Sequence, residues 1–389
     1  MIIGPPCHAM RRLYRRPALL GRIVARPAWP CRDARRRFHL PQIALPPLIF
    51  SGLFLALWCW KCTMLVLFQN VIIYNPFMPP NARNMRIADF ARQCGGVQWR
   101  EERISSLDGT AIALCVSEMA TQKAENIGNK AITQVYILYF QGNASSLPPR
   151  LPDISWVLRR LKTVDEAAVH YTTVCLSYRG YWTSHDRPSE YGINLDAQAA
   201  LHWIAQLHRN KSATDRSSRP VFLLWGQSIG CGFATNVAAM PSRRPSETRI
   251  DALILETPFT NTRAMLKALY PQKWLPYQYL WPFLRNHLDS WRNFQLIAAK
   301  RQCYPPAVYL VEAAKDELVP RDHATALQRR CQDLGLEVKK VSVAGALHNE
   351  VMMRKSGKQA IVESISEAVT RAMARPEVEA GTGSTSHDG

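Results

Sequence analysis

The stretch Val221–Met240, VFLLWGQSIGCGFATNVAAM, decides the fold. It opens on five apolar residues, Val221 to Trp225, the pattern of a strand buried on both faces. It then turns through Gly226-Gln227-Ser228-Ile229-Gly230 and continues as a run of small residues with helical character. Strand, G-x-S-x-G and helix in that order is the context of a nucleophile elbow, a turn that holds a serine hydroxyl exposed at its tip. Gly226 and Gly230 let the flanking backbones approach closely. The N–H groups that open the helix point at the same place, which suits an anion. The competing reading is an ordinary strand-to-helix turn with a surface serine.

Outward from this stretch the chain alternates between strand and helix patterns. The strands are expected at Val135–Phe140, Thr172–Tyr178, Val221–Trp225, Ala252–Glu256, Ala307–Val311 and Val338–Val343. Helical patterns lie near Ile154–Leu161, Leu195–Leu207, Ile229–Ala239, His323–Leu334 and Gln359–Ala374. Ahead of them, Val97–Ser106 and Thr110–Glu118 form a hairpin around Asp108-Gly109. The expectation is a mostly parallel, doubly wound α/β sheet led by an antiparallel hairpin, with its ligand site at the carboxyl ends of the parallel strands. Gln122–Lys130 is polar and reads as a loop. Residues 259–301 lack strand character and are crowded with aromatics, so they read as helical cover over the site.

A serine hydroxyl needs a base to take its proton, and the base needs a third group to hold it. In such a sheet the order is Ser, acid, His, each just past a strand end. Asp316 follows one strand and His348 follows the next, after a glycine-containing turn. Glu312 and Glu317 are rivals for the acid role; spacing favours Asp316. His170, His202, His208, His287 and His323 read as core or surface residues. The oxyanion needs two backbone donors. Ile229 N–H follows the nucleophile, and Asn143 N–H lies in the loop Gln141-Gly142-Asn143-Ala144 after the first parallel strand. Gln227 flanks the serine. No metal and no cofactor enter this scheme. Asn143-Ala144-Ser145 spells a glycosylation sequon, read as too buried to be modified. Asn210-Lys211-Ser212, read as a polar loop, is the accessible one.

These pieces resemble the membrane-anchored α/β-hydrolase-domain proteins, the branch that includes lysophospholipases and protein depalmitoylases. The matching residues are Gly142-Asn143-Ala144, Ser177-Tyr-Arg-Gly180-Tyr181, Pro188-Ser-Glu190-Tyr-Gly192, Asp196-Ala197, Gly226-Gln-Ser-Ile-Gly230, Glu256-Thr-Pro258-Phe259, Asp316-Glu-Leu-Val-Pro320 and His348-Asn349. They extend over about residues 96 to 375. The resemblance implies the α/β-hydrolase fold and an acyl ester or thioester substrate, and gives Arg179, Ser189 and Glu190 a bracing role. Two positions depart from it. Gln141 stands where the family has His, and Trp182, His185 and Asp186 stand in a loop that is elsewhere Gly-rich.

About half of the formal net charge of +19 lies at the N-terminus, where ten arginines precede residue 43 against Asp33 alone. That reads as targeting or topology, and no nucleic-acid motif accompanies it. Ile43–Trp60 is eighteen residues without a charge, long enough to cross a bilayer core. Lys61 follows, and the span ends near Trp60 if the lysine snorkels to the interface. The expected organisation is a basic segment (1–42), a transmembrane anchor (43–69), a linker (70–95), the hydrolase domain (96–375) and a disordered tail (376–389). The positive-inside rule puts the N-terminus in the cytosol and the domain in the lumen of the endoplasmic reticulum or another endomembrane. A mitochondrial transit peptide is the alternative, opposed by the absence of serine before Ser51. Cys59 and Cys62 form a C-x-x-C inside the apolar segment and read as packing against lipid, with acylation at the membrane boundary the alternative; Cys115, Cys175 and Cys231 read as core. The expected function is a serine hydrolase acting on a lysophospholipid, monoacylglycerol or acylated protein at a membrane. An acyltransferase on the same triad and a non-catalytic scaffold are the rivals.

Overall fold

The computed structural model describes residues 41–127, 132–165, 167–212, 219–241, 249–300 and 304–375. The basic segment before residue 41 and the tail after residue 375 lie outside the described residues. The chain divides into two units, Met1–Phe54 and Leu55–Gly389. Its helices are α1 (Leu45–Leu67), α2 (Gln69–Tyr74), α3 (Ile87–Phe90), α4 (Gln122–Ile127), α5 (Leu151–Val164), α6 (Glu190–Ser212), α7 (Ile229–Ala239), α8 (Thr262–Leu269), α9 (Ser290–Ala299), α10 (Arg321–Asp333) and α11 (Lys355–Met373). Its strands are β1 (Arg100–Ser105), β2 (Ala111–Ala120), β3 (Thr133–Phe140), β4 (Val169–Leu176), β5 (Val221–Gln227), β6 (Ile250–Glu256), β7 (Ala307–Ala313) and β8 (Val338–Val343).

The eight strands form one sheet in the order β1-β2-β4-β3-β5-β6-β7-β8. β1 and β2 pair antiparallel with each other, β2 pairs antiparallel with β4, and every pair from β4 to β8 is parallel. This is the α/β-hydrolase fold. The leading hairpin closes at Asp108-Gly109, where Gly109 has φ +85° and Asp108 Oδ1 accepts from Thr110 N–H. The chain crosses from β4 over β3 to reach β5. The loop after β3 and the turn after β5 are therefore neighbours at the point where strand order reverses, the usual ligand position in such sheets.

Alternation along the strands feeds two cores. Tyr136, Leu138 and Phe140 of β3 and Phe222 and Leu224 of β5 enter one, against α7 and α9. Val135, Ile137, Tyr139, Val221, Leu223 and Trp225 enter the other, against α5 and α11. Each fully buried Leu or Phe contributes roughly 1.5–3 kcal/mol relative to exposure. Burial on both faces explains why these strands read as continuous apolar runs. Cys115, Cys175 and Cys231 are core residues, fully enclosed.

Some local expectations change. Residues 122–127 are helix α4, capped by Thr121 Oγ1, which accepts from Ala124 N–H at 3.3 Å. β4 ends at Leu176, two residues before Tyr178, because the chain turns: Tyr181 N–H donates to Tyr178 O and Gly180 has φ +81°. α6 begins five residues earlier than its apolar periodicity suggests, with Ser189 Oγ accepting from Gly192 N–H. It also runs through Asn210, so that sequon lies in a last helical turn and not in a loop. Among the described residues, Gln42–Leu67 is the helical stretch long and apolar enough to cross a membrane, and none of α1 is buried.

Candidate active site

β5 delivers Ser228 to the tip of the turn. Ser228 has φ 52° and ψ −116°, a conformation L-residues hold only when the surroundings impose it, at a cost of roughly 1–3 kcal/mol. The surroundings are close. A Cβ on Gly226 would sit 2.6 Å from Gly230 O, and one on Gly230 would sit 2.2 Å from Phe140 O. Ser228 N–H is held by Glu256 O at 2.8 Å.

β7 and β8 deliver the partners. Ser228 Oγ lies 2.9 Å from His348 Nε2, and His348 Nδ1 lies 2.8 Å from Asp316 Oδ2. A carboxylate against Nδ1 fixes the proton there and leaves Nε2 as the acceptor for the serine hydroxyl. Asp316 is itself held, because its Oδ1 accepts from Leu318 N–H and Val319 N–H at 2.9 and 2.7 Å. Both side chains are about 95% buried. The rivals separate clearly. Glu317 accepts from the backbone N–H of His348 at 2.9 Å and steadies the loop, while Glu312 faces Lys340 at 3.4 Å.

Asn143, Ala144, Ser228, Ile229, His348 and Asn349 meet at one cavity of about 460 Å³. Ile229 opens α7, so its N–H has no carbonyl one turn earlier to bond. Asn143 is exposed at the rim, contrary to the buried position expected of it, and its Oδ1 accepts from Ala144 N–H at 2.7 Å and Tyr181 OH at 3.3 Å. The rest of the wall is apolar, chiefly from α8, residues 277–288 and the stretch Leu65–Ile73. The cover expected over 259–301 is thus partly helix (α8, α9) and partly short turns. Leu65, Val66, Gln69, Ile72 and Ile73 were not anticipated as site residues, since they read as anchor and linker.

Beneath the elbow lies a polar cluster. Gln227 Nε2 donates to Glu256 Oε1 at 2.9 Å, while Gln227 Oε1 accepts from Arg150 and from Tyr139 OH. Gly142 passes so close that a Cβ there would stand 3.2 Å from Gln227 Oε1. Burial pushes the Glu256 carboxyl up to about 7; the bond from Gln227 and the charges of Arg150 and His348 pull it partly back. Gln141 is fully enclosed. Its carbonyl accepts from Tyr178 OH at 2.7 Å, and its side-chain amide has no partner among the described residues. Arg150 escaped the sequence reading because nothing local marks it.

The bracing residues act at one remove. Arg179 bonds Asp196 at 2.7 Å and Asp108 at 2.8 Å, tying the loop after β4 to α6 and to the leading hairpin. Arg179 holds the Asp108 carboxyl well below the usual carboxylate range. Glu190 accepts from the backbone N–H groups of His287 and Leu288 and from Asn236 Nδ2, so it fixes the cover against α7. His323 is a structural histidine: its Nδ1 accepts from Thr260 N–H, and burial lowers its pKa.

No protein-family model matches the chain. Protein Bem46 of Schizosaccharomyces pombe is 28% identical over 232 residues, 59% of this chain and 67% of that protein. The α/β hydrolase domain-containing protein WAV2 of Arabidopsis thaliana is 28% identical over 272 residues, 68% of this chain and 76% of that protein. Lysophosphatidylserine lipase ABHD12 of Macaca fascicularis is 36% identical over 138 residues, 36% of this chain; the match spans only 30% of that lipase's own length. With the sheet order, the elbow and these relatives together, the chain has the α/β-hydrolase fold and is related to Bem46 and ABHD12.

Proposed function

We propose that the protein is a membrane-anchored serine hydrolase that cleaves an acyl ester or thioester. The observation that carries this reading is the continuous relay Ser228–His348–Asp316 opening on a largely apolar cavity. His348 Nε2 takes the Ser228 proton as Oγ attacks the acyl carbonyl. The oxyanion forms against the N–H groups of Asn143 and Ile229. His348 then returns the proton to the leaving alcohol or thiol, and an acyl-serine remains. Water, deprotonated by the same imidazole, releases the acid. Asp316 keeps the imidazole in the correct tautomer and stabilises its cation. The strained Ser228 backbone holds the hydroxyl at the tip throughout.

The apolar wall favours a lipidic acyl chain over a short or charged one. A lysophospholipid, monoacylglycerol or acylated protein meets that description, and the similarity to lysophosphatidylserine lipase ABHD12 supports a lipid ester. The test is acyl-substrate profiling of the purified full-length chain, with esters and thioesters of graded chain length. The reading requires turnover that rises with chain length and vanishes in Ser228→Ala. A folded wild-type sample that turns over none of them would refute it.

The helix Gln42–Leu67 serves as the anchor in this reading. The preceding arginines keep the N-terminus cytosolic and the domain lumenal. Asn210 is exposed at the end of α6, so a lumenal domain would carry an endoglycosidase-sensitive glycan there. An unshifted band from folded protein returns the mitochondrial alternative.

A further inference from the structure

The cavity wall is not confined to the hydrolase core. Leu65 and Val66 belong to the last turn of α1, and Gln69, Ile72 and Ile73 to α2. These turns are bolted to the cover. Arg285 Nη2 donates to the carbonyls of Val66 and Leu67 at 3.1 and 3.2 Å, satisfying the open C-terminal end of α1. Gln69 Nε2 donates to Phe283 O at 3.1 Å, and Gln69 Oε1 accepts from Arg285 N–H at 2.7 Å. Asn286 Nδ2 reaches Asn70 Oδ1 at 2.6 Å, and Tyr74 OH reaches Asn286 Oδ1 at 2.9 Å.

The depth of this junction can be read from the chain. Ile43–Trp60 spans about 27 Å as helix, close to the hydrocarbon thickness of about 30 Å. Lys61, the first charge after it, stands 5.4 Å from the centroid of the Tyr277 ring. Lysine beside an aromatic at the end of a span marks the membrane–water interface. Leu65 and Val66 follow four and five residues later, about 6–8 Å further along the helix, at headgroup depth. Around the same junction, Trp274 is 70% exposed and Phe283 60%, with Tyr279, Trp281 and Phe77 also open to the surroundings. Arg263 lies over the Trp281 ring at 3.8 Å. Residues 257–288 carry Arg263, Lys267, Lys273 and Arg285 and no acid, and residues 62–88 carry Arg83 and Arg86 and no acid. Exposed aromatics interleaved with cations, without carboxylates, fit the headgroup layer of a bilayer better than water or an acid-rich partner.

We infer that the aromatic and basic collar formed by residues 263–285 beds into the headgroup layer, and that the acyl chain enters the cavity laterally from the leaflet. The partner of this surface is a phospholipid bilayer. The inference rests on the hydrolase reading for the identity of the cavity's occupant. The anchor is then part of the substrate path and not only a tether. Trp274 and Tyr279 flank the cavity without lining it, so they serve delivery and not chemistry.

The full chain, reconstituted in vesicles of phosphatidylcholine with phosphatidylserine, tests this with two substrates. One is a long-chain fluorogenic ester diluted in the bilayer, the other a short water-soluble ester. The double variant Trp274→Glu/Tyr279→Glu should lower turnover of the bilayer ester by roughly tenfold or more and leave the soluble ester within about twofold, since only partition into the interface is lost. Equal loss, or no loss, on both substrates overturns lateral delivery. In parallel, p-benzoylphenylalanine replacing Trp274 should photocrosslink to phospholipid; a crosslink yield at background overturns the bilayer contact. A wild-type chain that hydrolyses neither ester removes the hydrolase reading and lateral delivery with it, while the crosslink still reports whether the collar touches lipid.

Discussion

Glu256 offers a prediction whose sign and size follow from its surroundings. Its carboxyl is fully enclosed beneath the nucleophile elbow, and burial raises it from the ordinary 4.5 to about 7. In the unfolded chain the proton leaves near pH 4.5; in the folded chain it stays until about pH 7. Between these values the native state binds more protons than the unfolded state, so stability falls as pH rises. The stabilising contribution is complete below about pH 4.5 and lost once pH passes about 7. A shift of about 2.5 pH units corresponds to about 3 kcal/mol. Glu256→Gln keeps an acceptor for Gln227 Nε2 and removes the ionisable group. Denaturant unfolding of the full chain in detergent, at intervals from pH 5 to pH 9, measures the effect. Wild type and variant should match near pH 5, and the variant should be about 3 kcal/mol more stable at pH 9. Parallel stability curves across that range would show that the carboxyl is not held protonated, and the account of the cluster would be wrong.

Other consequences are more local. Asp316→Asn should leave the fold intact and lower kcat by about 10⁴, because the imidazole loses the carboxylate that sets its tautomer; far-ultraviolet dichroism and steady-state rates together check this. Gly230→Ala forces a methyl into the carbonyl of Phe140, so it should displace the Gln141–Asn143 loop, cost about 1–3 kcal/mol and abolish esterase turnover. Arg179→Met leaves Asp196 buried without its cation; unfolding measurements should register a loss of about 3–5 kcal/mol.

The parts of the molecule visible in the sequence are those written as local patterns. Val221–Met240 carries its own strand, turn and helix, and Asp316 and His348 each follow a recognisable strand end, so the relay could be named before any distance was known. The Asp108-Gly109 hairpin and the apolar runs of β3 to β7 are legible for the same reason. What escaped depends on tertiary contact. Arg150 lies at the start of α5 and reaches Gln227 across 77 positions of chain. Leu65, Val66 and Gln69 look like anchor and linker until Arg285 and Asn286, more than 200 residues later, draw them against the cover. Asn143 reads as enclosed because the site itself reads as buried; the structure leaves it exposed at the rim, its Oδ1 accepting from Ala144 N–H and Tyr181 OH beside the turn at Ala144 (φ 57°). Helix α4 escapes because Gln122–Lys130 is polar and carries no apolar periodicity, so it reads as a loop; its cap by Thr121 Oγ1 shows only in the structure.

The central claim is that Ser228 is a nucleophile activated by His348. A fluorophosphonate probe applied to the full-length chain, followed by peptide mass analysis, tests it directly. The account predicts one adduct, on Ser228, lost in Ser228→Ala and strongly slowed in His348→Ala. A folded wild-type chain that stays unlabelled, or an adduct on another residue that persists in Ser228→Ala, would contradict it.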